Sequence, residues 1–231
     1  MLSARSDRAL VVMAKAPKPG VVKTRLFTSL SPETVTDLYS CLLDDTLALA
    51  RSLSDVDVSI MCPAADLPSL KRVAGEQISV VAQEGEGLAA GLTSVFTHFP
   101  QDHRRTIAFN SDSPHLPRSV LEEAFELLAL HDLVIGPTHD GGYYLVGAKA
   151  SHTTLFATDG MGTSSALERL LSRAQTLKLS VGFAAPFYDI DVKDDLIRLA
   201  AELLGAPEKA PRTAGWLKER KFAARRAPGE P

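Results

Sequence analysis

Short apolar runs separated by longer stretches of helical periodicity recur along the whole chain. This alternation does most to limit what the chain can fold into. The runs at 10–13, 56–61, 78–82, 106–109 and 133–137 are four to six residues long and rich in Val, Ile and Leu, which suits buried strands. Between them, 31–52, 66–74, 87–99 and 117–130 read as helices, the first with Ser31 as cap and Pro32 at its opening position. Residues 133–137 and 143–147 then read as two strands around a Gly-Gly turn. A helix over 163–174 carries Ala166, Leu167, Leu170 and Leu171 on one face, and a last strand at 179–187 precedes a helix at 193–204. Strands alternating with helices predict an α/β domain with a largely parallel sheet. With no linker rich enough to divide it, residues 1–204 form a single domain in this reading. Residues 205–231 add a helix around Trp216 and a flexible basic tail.

At 231 residues and 45% hydrophobic, one such domain buries roughly 70% of its unfolded surface, so it needs no disulfide or structural metal. No apolar run approaches the roughly 18 residues that span a bilayer. The net charge of -3 conceals an uneven distribution. Residues 1–30 carry six basic side chains against Asp7 alone, and residues 208–231 carry seven against three acids. The body between them holds 12 basic and 24 acidic groups. A general nucleic-acid binder would spread positive charge over a face. Here only the first cluster adjoins a buried strand, which favours a small anionic ligand and excludes nucleic acid and membrane as partners. Cys41 and Cys62 form no metal-binding pattern and read as reduced core thiols, with a disulfide between them left open. The apolar run 9–14 ends at Lys15, too short for a signal sequence, so the expected location is the cytoplasm. Trp216 reads as a packing contact or as the anchor of a homodimer.

In parallel α/β sheets, ligands collect at the carboxyl ends of the strands. The loop after the first strand, 15–26, holds Lys15, Lys18, Lys23 and Arg25, with Pro17, Pro19 and Gly20 turning the backbone. Were this segment extended, Lys23 and Arg25 would point the same way and form a fork suited to a polyphosphate. The alternative is a solvated loop whose cations balance nearby acids. It is not a P-loop, since Pro17 and Val22 stand where that motif needs glycine.

After the fourth strand comes Asn110-Ser111-Asp112-Ser113-Pro114, and after the last comes Asp189-Ile190-Asp191. Asp112, Asp189 and Asp191 are the metal candidates. Mg²⁺, or Mn²⁺ in its place, takes one or two carboxylates together with waters and substrate phosphates. Each Asp has a plainer reading, Asp191 as a helix cap and Asp112 in an Asx turn. Gly85-Glu86-Gly87 to Gly91 resembles a relaxed dinucleotide fingerprint, but its spacing has an extra residue. Glu84 and Glu86 would also repel a pyrophosphate.

The segment Met13-Ala14-Lys15-Ala16-Pro17-Lys18-Pro19-Gly20-Val21-Val22-Lys23-Thr24-Arg25-Leu26 resembles the opening of a bacterial family of uncharacterised glycosyltransferase-like proteins. That family, of the DUF2064 type, lies in the GT-A or nucleotide-diphospho-sugar transferase superfamily. Asn110 to Pro114, Gly136-Pro137 with Asp140-Gly141-Gly142-Tyr143-Tyr144-Leu145, and Asp189-Ile190-Asp191 with Asp194-Asp195-Leu196 match its later motifs in order. The chain is similar, more distantly, to phospholactate guanylyltransferases and molybdenum-cofactor nucleotidyltransferases. The resemblance implies a three-layer, Rossmann-like, mainly parallel sheet with helices on both faces. It assigns Lys15, Lys23 and Arg25 to phosphates, Asp112, Asp189 and Asp191 to the metal, and Asp140, Gly141, Gly142 and Tyr143 to the acceptor side. The chain departs from the family pattern at Leu88-Ala89-Ala90-Gly91 and around Met161-Gly162-Thr163.

These readings converge on a Mg²⁺-dependent transferase that takes a nucleotide or nucleotide-sugar and a small-molecule acceptor, with Lys23 and Asp112 as its catalytic pair. Nucleotidyl transfer from an NTP, with pyrophosphate release, is the leading form. Sugar transfer from a nucleotide-sugar and nucleotide binding without turnover are the alternatives.

Overall fold

The computed structural model describes residues 6–152, 154–156, 161–162, 164–220 and 222. Residues 1–5, Thr163 and the basic tail with Arg225 and Arg226 lie outside the described residues. The first half runs β1 (Arg8–Met13), α1 (Pro32–Arg51), β2 (Asp57–Cys62), α2 (Leu67–Ala74), β3 (Ser79–Ala82), α3 (Gly87–His98) and β4 (Arg105–Asn110). The second half runs α4 (Arg118–Leu130), β5 (Leu133–Pro137), β6 (Tyr143–Ala148), α5 (Ala166–Thr176), β7 (Val181–Phe183), α6 (Lys193–Gly205) and α7 (Pro211–Glu219).

The seven strands form one sheet in the order β3-β2-β1-β4-β6-β5-β7. Strands β1 to β4 are mutually parallel, and β7 is parallel to β5. Strand β6 is antiparallel to both neighbours, because the short Gly-Gly turn returns it beside β5. The expected three-layer arrangement is present, and strand alternation explains it. Leu10 and Val12 of β1 join Leu43 and Leu47 of α1, Leu70 of α2 and Phe125 of α4 in one core. Ala9 and Val11 face the other way, into a core with Val95 and Phe96 of α3 and Leu170 of α5. The chain steps outward from β1 to β3 and then crosses back to β4. Right-handed crossovers therefore place α1 and α2 on one face and α3 on the other. The reversal opens a crevice between the carboxyl ends of β1 and β4, where such sheets bind ligands.

Ser31 caps α1 through its Oγ, which accepts from the Thr34 amide at 3.3 Å. Two expectations are corrected. The last strand covers three residues rather than 179–187, because its partner β5 ends at Pro137 and Pro186 has no N–H to continue the ladder. The chain beyond β7 keeps to that edge irregularly, with the Phe187 amide donating to the Pro137 carbonyl at 3.1 Å. Helix α5 begins at Ala166, later than the expected 163. Cys41 and Cys62 are free thiols. Among the described residues, no helix is long and apolar enough to cross a membrane.

A third core lies on the outer side of α1, where Leu38 and Leu42 meet Leu199 and Leu203 of α6 and Trp216 and Leu217 of α7. Trp216 is thus buried within its own chain, a packing contact rather than an exposed dimer anchor. Asp45, on the same helix and 3% exposed, accepts from the amides of Arg212 and Thr213 at 3.1 and 2.8 Å and from the Thr213 hydroxyl at 2.7 Å. Those amides open α7 and would otherwise lack partners, so a side chain of α1 caps α7 from outside.

His115 is held between the rings of Phe187 and Tyr188, with centroids 4.8 and 4.6 Å away, and neither ring nitrogen has a partner among the described residues. Burial, reinforced by the charges of Lys209 and Arg198, lowers its pKa to about 3. The fold favours the neutral ring, so its contribution is complete above about pH 6.5 and is lost as pH falls toward 3. Urea unfolding between pH 4 and 7 should show stability rising by up to about 1.4 kcal/mol per pH unit from this group. The increment should vanish in His115→Phe; an unchanged slope in that variant would contradict the assignment.

Candidate active site

The crevice is lined by the loop after β1, the loop after β4 and the segment before α6. The first loop is not extended. Lys23 adopts a left-handed conformation with φ 48°, and a single 3-10 turn, Thr24–Thr28, follows it. The expected fork therefore forms by a different route. The turn swings Lys23 inward, with only 6% of its side chain exposed, and leaves Arg25 at the rim with 66% exposed. Both still meet on Asp191. Lys23 Nζ donates to Asp191 Oδ1 at 2.7 Å and Arg25 Nη1 donates to Oδ2 at 3.2 Å. Lys23 Nζ also donates to Asp112 Oδ2.

The loop is anchored at its start. The Ala16 amide donates to Asp66 Oδ2 at 3.0 Å and Lys18 Nζ donates to Asp66 Oδ1 at 2.6 Å. Lys18 therefore fits the reading in which loop cations balance acids. Lys15 is exposed.

Asp112 and Asp191 are brought together by the backbone. The Ile190 amide donates to the Asp112 carbonyl at 3.2 Å, and Ser113 Oγ donates to the Tyr188 carbonyl at 3.2 Å. The plainer roles for these acids fall to their neighbours. Asn110 Oδ1 accepts from the Asp112 amide at 3.4 Å, and Asp195 Oδ2 accepts from the amides of Asp191 and Val192 at 3.0 and 2.8 Å. Asp195 secures the start of α6, so the Asp191 carboxylate is free to turn toward the crevice.

Asp112, Asp189 and Asp191 each offer an oxygen, and these lie within 4.8 Å of one another. Their electrostatics show a site short of positive charge. Burial pushes Asp189 up to about 6, with the neighbouring Asp112 and Asp191 adding to the rise against the pull of Lys23. Burial would raise Asp191 as well, but Lys23 and Arg25 hold it below the usual carboxylate range. For Lys23, burial disfavours the charge, yet Asp112 and Asp191 more than offset it and raise its pKa above the ordinary value. Three hard oxygen donors, one of them under-neutralised, fit Mg²⁺ or Mn²⁺.

The loop between β5 and β6 is built for rigidity. Asp140 Oδ1 accepts from Thr138 Oγ1 at 2.5 Å and from the Gly142 amide at 3.1 Å. Gly141 has φ 88°, and a side chain there would sit 2.0 Å from the Ser164 carbonyl oxygen. Its own carbonyl accepts from the Leu167 amide at 3.1 Å, and the Tyr143 hydroxyl donates to the Met161 carbonyl at 3.2 Å. These four residues thus bind to each other and to the α5 side rather than to the three acids.

Sequence reading missed Tyr39 and gave Ser111 no role of its own. Tyr39 Oη lies 2.9 Å from Ser111 Oγ, and Ser111 Oγ donates to Asp112 Oδ1 at 2.9 Å. Burial and the Asp112 charge push the Tyr39 hydroxyl up to about 12. Asp66 was missed as well, for on its sequence it reads as the start of α2.

The model of a bacterial family described as an uncharacterized protein conserved in bacteria (DUF2064) matches residues 46–163, just over half of the chain. The chain belongs to that family. The DUF2064 match holds Asp112 and the loop 140–143, while Lys23, Arg25, Asp189 and Asp191 lie outside it. A comparison with curated proteins finds no match.

Among solved structures, a candidate nucleotide-diphospho-sugar transferase from Desulfovibrio desulfuricans G20 is similar with a TM-score of 0.86 and 26% identity. The alignment covers 95% of this chain and 97% of that one. A 4-diphosphocytidyl-2C-methyl-D-erythritol synthase from Anaerococcus prevotii DSM 20548 matches with a TM-score of 0.58 and 12% identity, over 86% of this chain and 97% of that one. Rv0371c from Mycobacterium tuberculosis H37Rv, solved in complex with manganese, matches with a TM-score of 0.52 and 19% identity, over 85% and 98%. The fold of this DUF2064 chain is that of the nucleotide-diphospho-sugar transferases.

Proposed function

We propose that this chain is a divalent-metal-dependent transferase acting on a nucleotide-activated substrate. Its reaction is nucleotidyl transfer from an NTP to a small phosphorylated or carboxylate acceptor. The observation that carries this reading is the meeting of Asp112, Asp189 and Asp191 with Lys23 and Arg25 at the β1/β4 crevice. Likeness to a structure described as a candidate nucleotide-diphospho-sugar transferase supports the substrate class. The manganese complex of Rv0371c supports the metal class.

The three aspartates would hold the cation, which when bound supplies charge neutralisation to the phosphates and the departing pyrophosphate. Lys23 and Arg25 bind the phosphates, Arg25 from the rim and Lys23 once its ammonium leaves the carboxylates. Asp66 keeps the start of the loop in place through the Ala16 amide and Lys18. An acceptor oxygen attacks the α-phosphorus, its bond to the pyrophosphate oxygen breaks, and the negative charge left on that oxygen is met by Lys23 and Arg25. Such catalysis is positioning and electrostatics, so no protein nucleophile is required.

Sugar transfer from a nucleotide-sugar is the second reading, favoured by the description of the Desulfovibrio structure. It releases a nucleoside diphosphate instead of pyrophosphate. Incubation with each NTP or nucleotide-sugar and a panel of phosphorylated and carboxylate acceptors, with Mg²⁺ or Mn²⁺, separates the two. The expected product is pyrophosphate. Release of nucleoside diphosphate alone would replace the first reading by the second, and nucleotide binding without turnover would reject both.

A further inference from the structure

Tyr39 sits on α1 with its ring in the core and its hydroxyl between two loops that sequence alone keeps apart. The Lys15 amide donates to Tyr39 Oη at 3.3 Å, Tyr39 Oη lies 2.9 Å from Ser111 Oγ, and Ser111 Oγ lies 2.9 Å from Asp112 Oδ1. The direction of this chain is fixed by its ends. A backbone amide can only donate and an ionised carboxylate can only accept. Ser111 has one proton, and it goes to Asp112. The Tyr39 proton therefore goes to Ser111, and a Tyr39 lone pair receives the Lys15 N–H.

Packing does not require that hydroxyl. Tyr39 is 3% exposed and lies among leucines of α1, where phenylalanine would fill the same space. Burying a hydroxyl is unfavourable unless it is hydrogen-bonded, and here both its donor and its acceptor capacity are used. At the far end the chain engages only Oδ1 of Asp112, while Oδ2 faces Lys23. Thr46, about two helix turns beyond Tyr39, has one hydroxyl proton, which the Leu42 carbonyl at 2.8 Å and the Ser111 carbonyl at 3.3 Å share.

We propose that Tyr39 and Ser111 are positioning residues. Their directed hydrogen-bond chain fixes the Asp112 carboxylate so that Oδ2 faces the cation position, and it ties that carboxylate to the phosphate-side loop at Lys15. This rests on the metal reading given above. Partners of metal-ligating carboxylates typically govern affinity by ten- to a hundredfold.

The test is a Mn²⁺ titration of the nucleotide-free protein, with unbound Mn²⁺ followed by electron paramagnetic resonance. Wild type is compared with Tyr39→Phe, Ser111→Ala, the double variant and Asp112→Asn. Wild type should bind Mn²⁺ and Asp112→Asn should lose it. Tyr39→Phe and Ser111→Ala should each weaken binding by about tenfold. The double variant should bind no more weakly than Ser111→Ala, because both changes cut one chain. Should Tyr39→Phe not fold, Ser111→Ala carries the comparison. Wild-type affinity in the single variants, or losses that multiply in the double, would overturn the relay and leave the metal site standing. Failure of the wild type itself to bind Mn²⁺ would overturn the metal reading and the relay with it.

Discussion

Lys23→Met should bind Mn²⁺ more tightly than wild type and yet turn over far more slowly. In the nucleotide-free protein the Lys23 ammonium occupies the ground between Asp112 and Asp191 that an incoming cation needs. Methionine keeps much of the length and none of the charge, so the competition disappears. Mn²⁺ affinity should rise on the order of tenfold, the change expected when about 1.4 kcal/mol of competing interaction is removed. Turnover should fall by about 10²–10³, the usual cost of losing one preorganised charge at a developing anion. The opposite signs are what make the experiment decisive. If Lys23 only neutralised acids, metal would replace it without loss of rate. If it only bound phosphate, metal affinity would not rise. Titration of Mn²⁺ and a steady-state assay on the same preparation give both numbers.

Asp45→Ala should destabilise the fold by about 3 kcal/mol or more. Three donors converge on that buried carboxylate, from the amides of Arg212 and Thr213 and from the Thr213 hydroxyl. Alanine would leave them with no acceptor in a site that admits little water, and each unsatisfied donor costs about 1–3 kcal/mol. A loss of 3 kcal/mol lowers the melting temperature of a chain this size by about 6–12 °C. The damage should be local to α7, where Trp216 and Leu217 lose their seat against α1. Differential scanning fluorimetry reads the shift, and Trp216, the only tryptophan, reports the detachment by its emission. A change under 1 kcal/mol would mean that α7 is held by its apolar face alone.

The alternation of strand and helix was enough to anticipate a largely parallel α/β sheet, and the strand-end rule was enough to pick out Asp112, whereas Asp189 and Asp191 reach it on the irregular chain beyond β7. Both rest on local periodicity, which a sequence displays directly. The Lys23 and Arg25 pair was legible for its charge but not for its geometry. Extension was the natural reading, whereas the chain places a lysine at positive φ and a 3-10 turn after it. Where polar atoms meet across the fold, the sequence offers no spacing to read. Tyr39 occupies an apolar helical position and looks like core, and its partner Ser111 is 72 residues away. Asp45 and Asp66 look like ordinary surface acids, yet they are 3% and 5% exposed and organise α7 and the first loop. The antiparallel turn of β5 and β6 could be foreseen from Gly141 and Gly142. The insertion of β6 between β4 and β5 could not, since strand order is set by which edges remain free when the hairpin docks.

The ionic link from Lys23 to Asp191 spans 168 residues of chain. At about 5–20 residues per second of synthesis, Lys23 is added roughly eight to thirty-four seconds before Asp191. Through that interval the first loop has Asp66 and then Asp112 to pair with, and Asp112 stands beside Lys23 and Ser111 before Asp189 and Asp191 have been made. The candidate site is therefore completed only after all seven strands have been made, with α6, α7 and the tail still to follow.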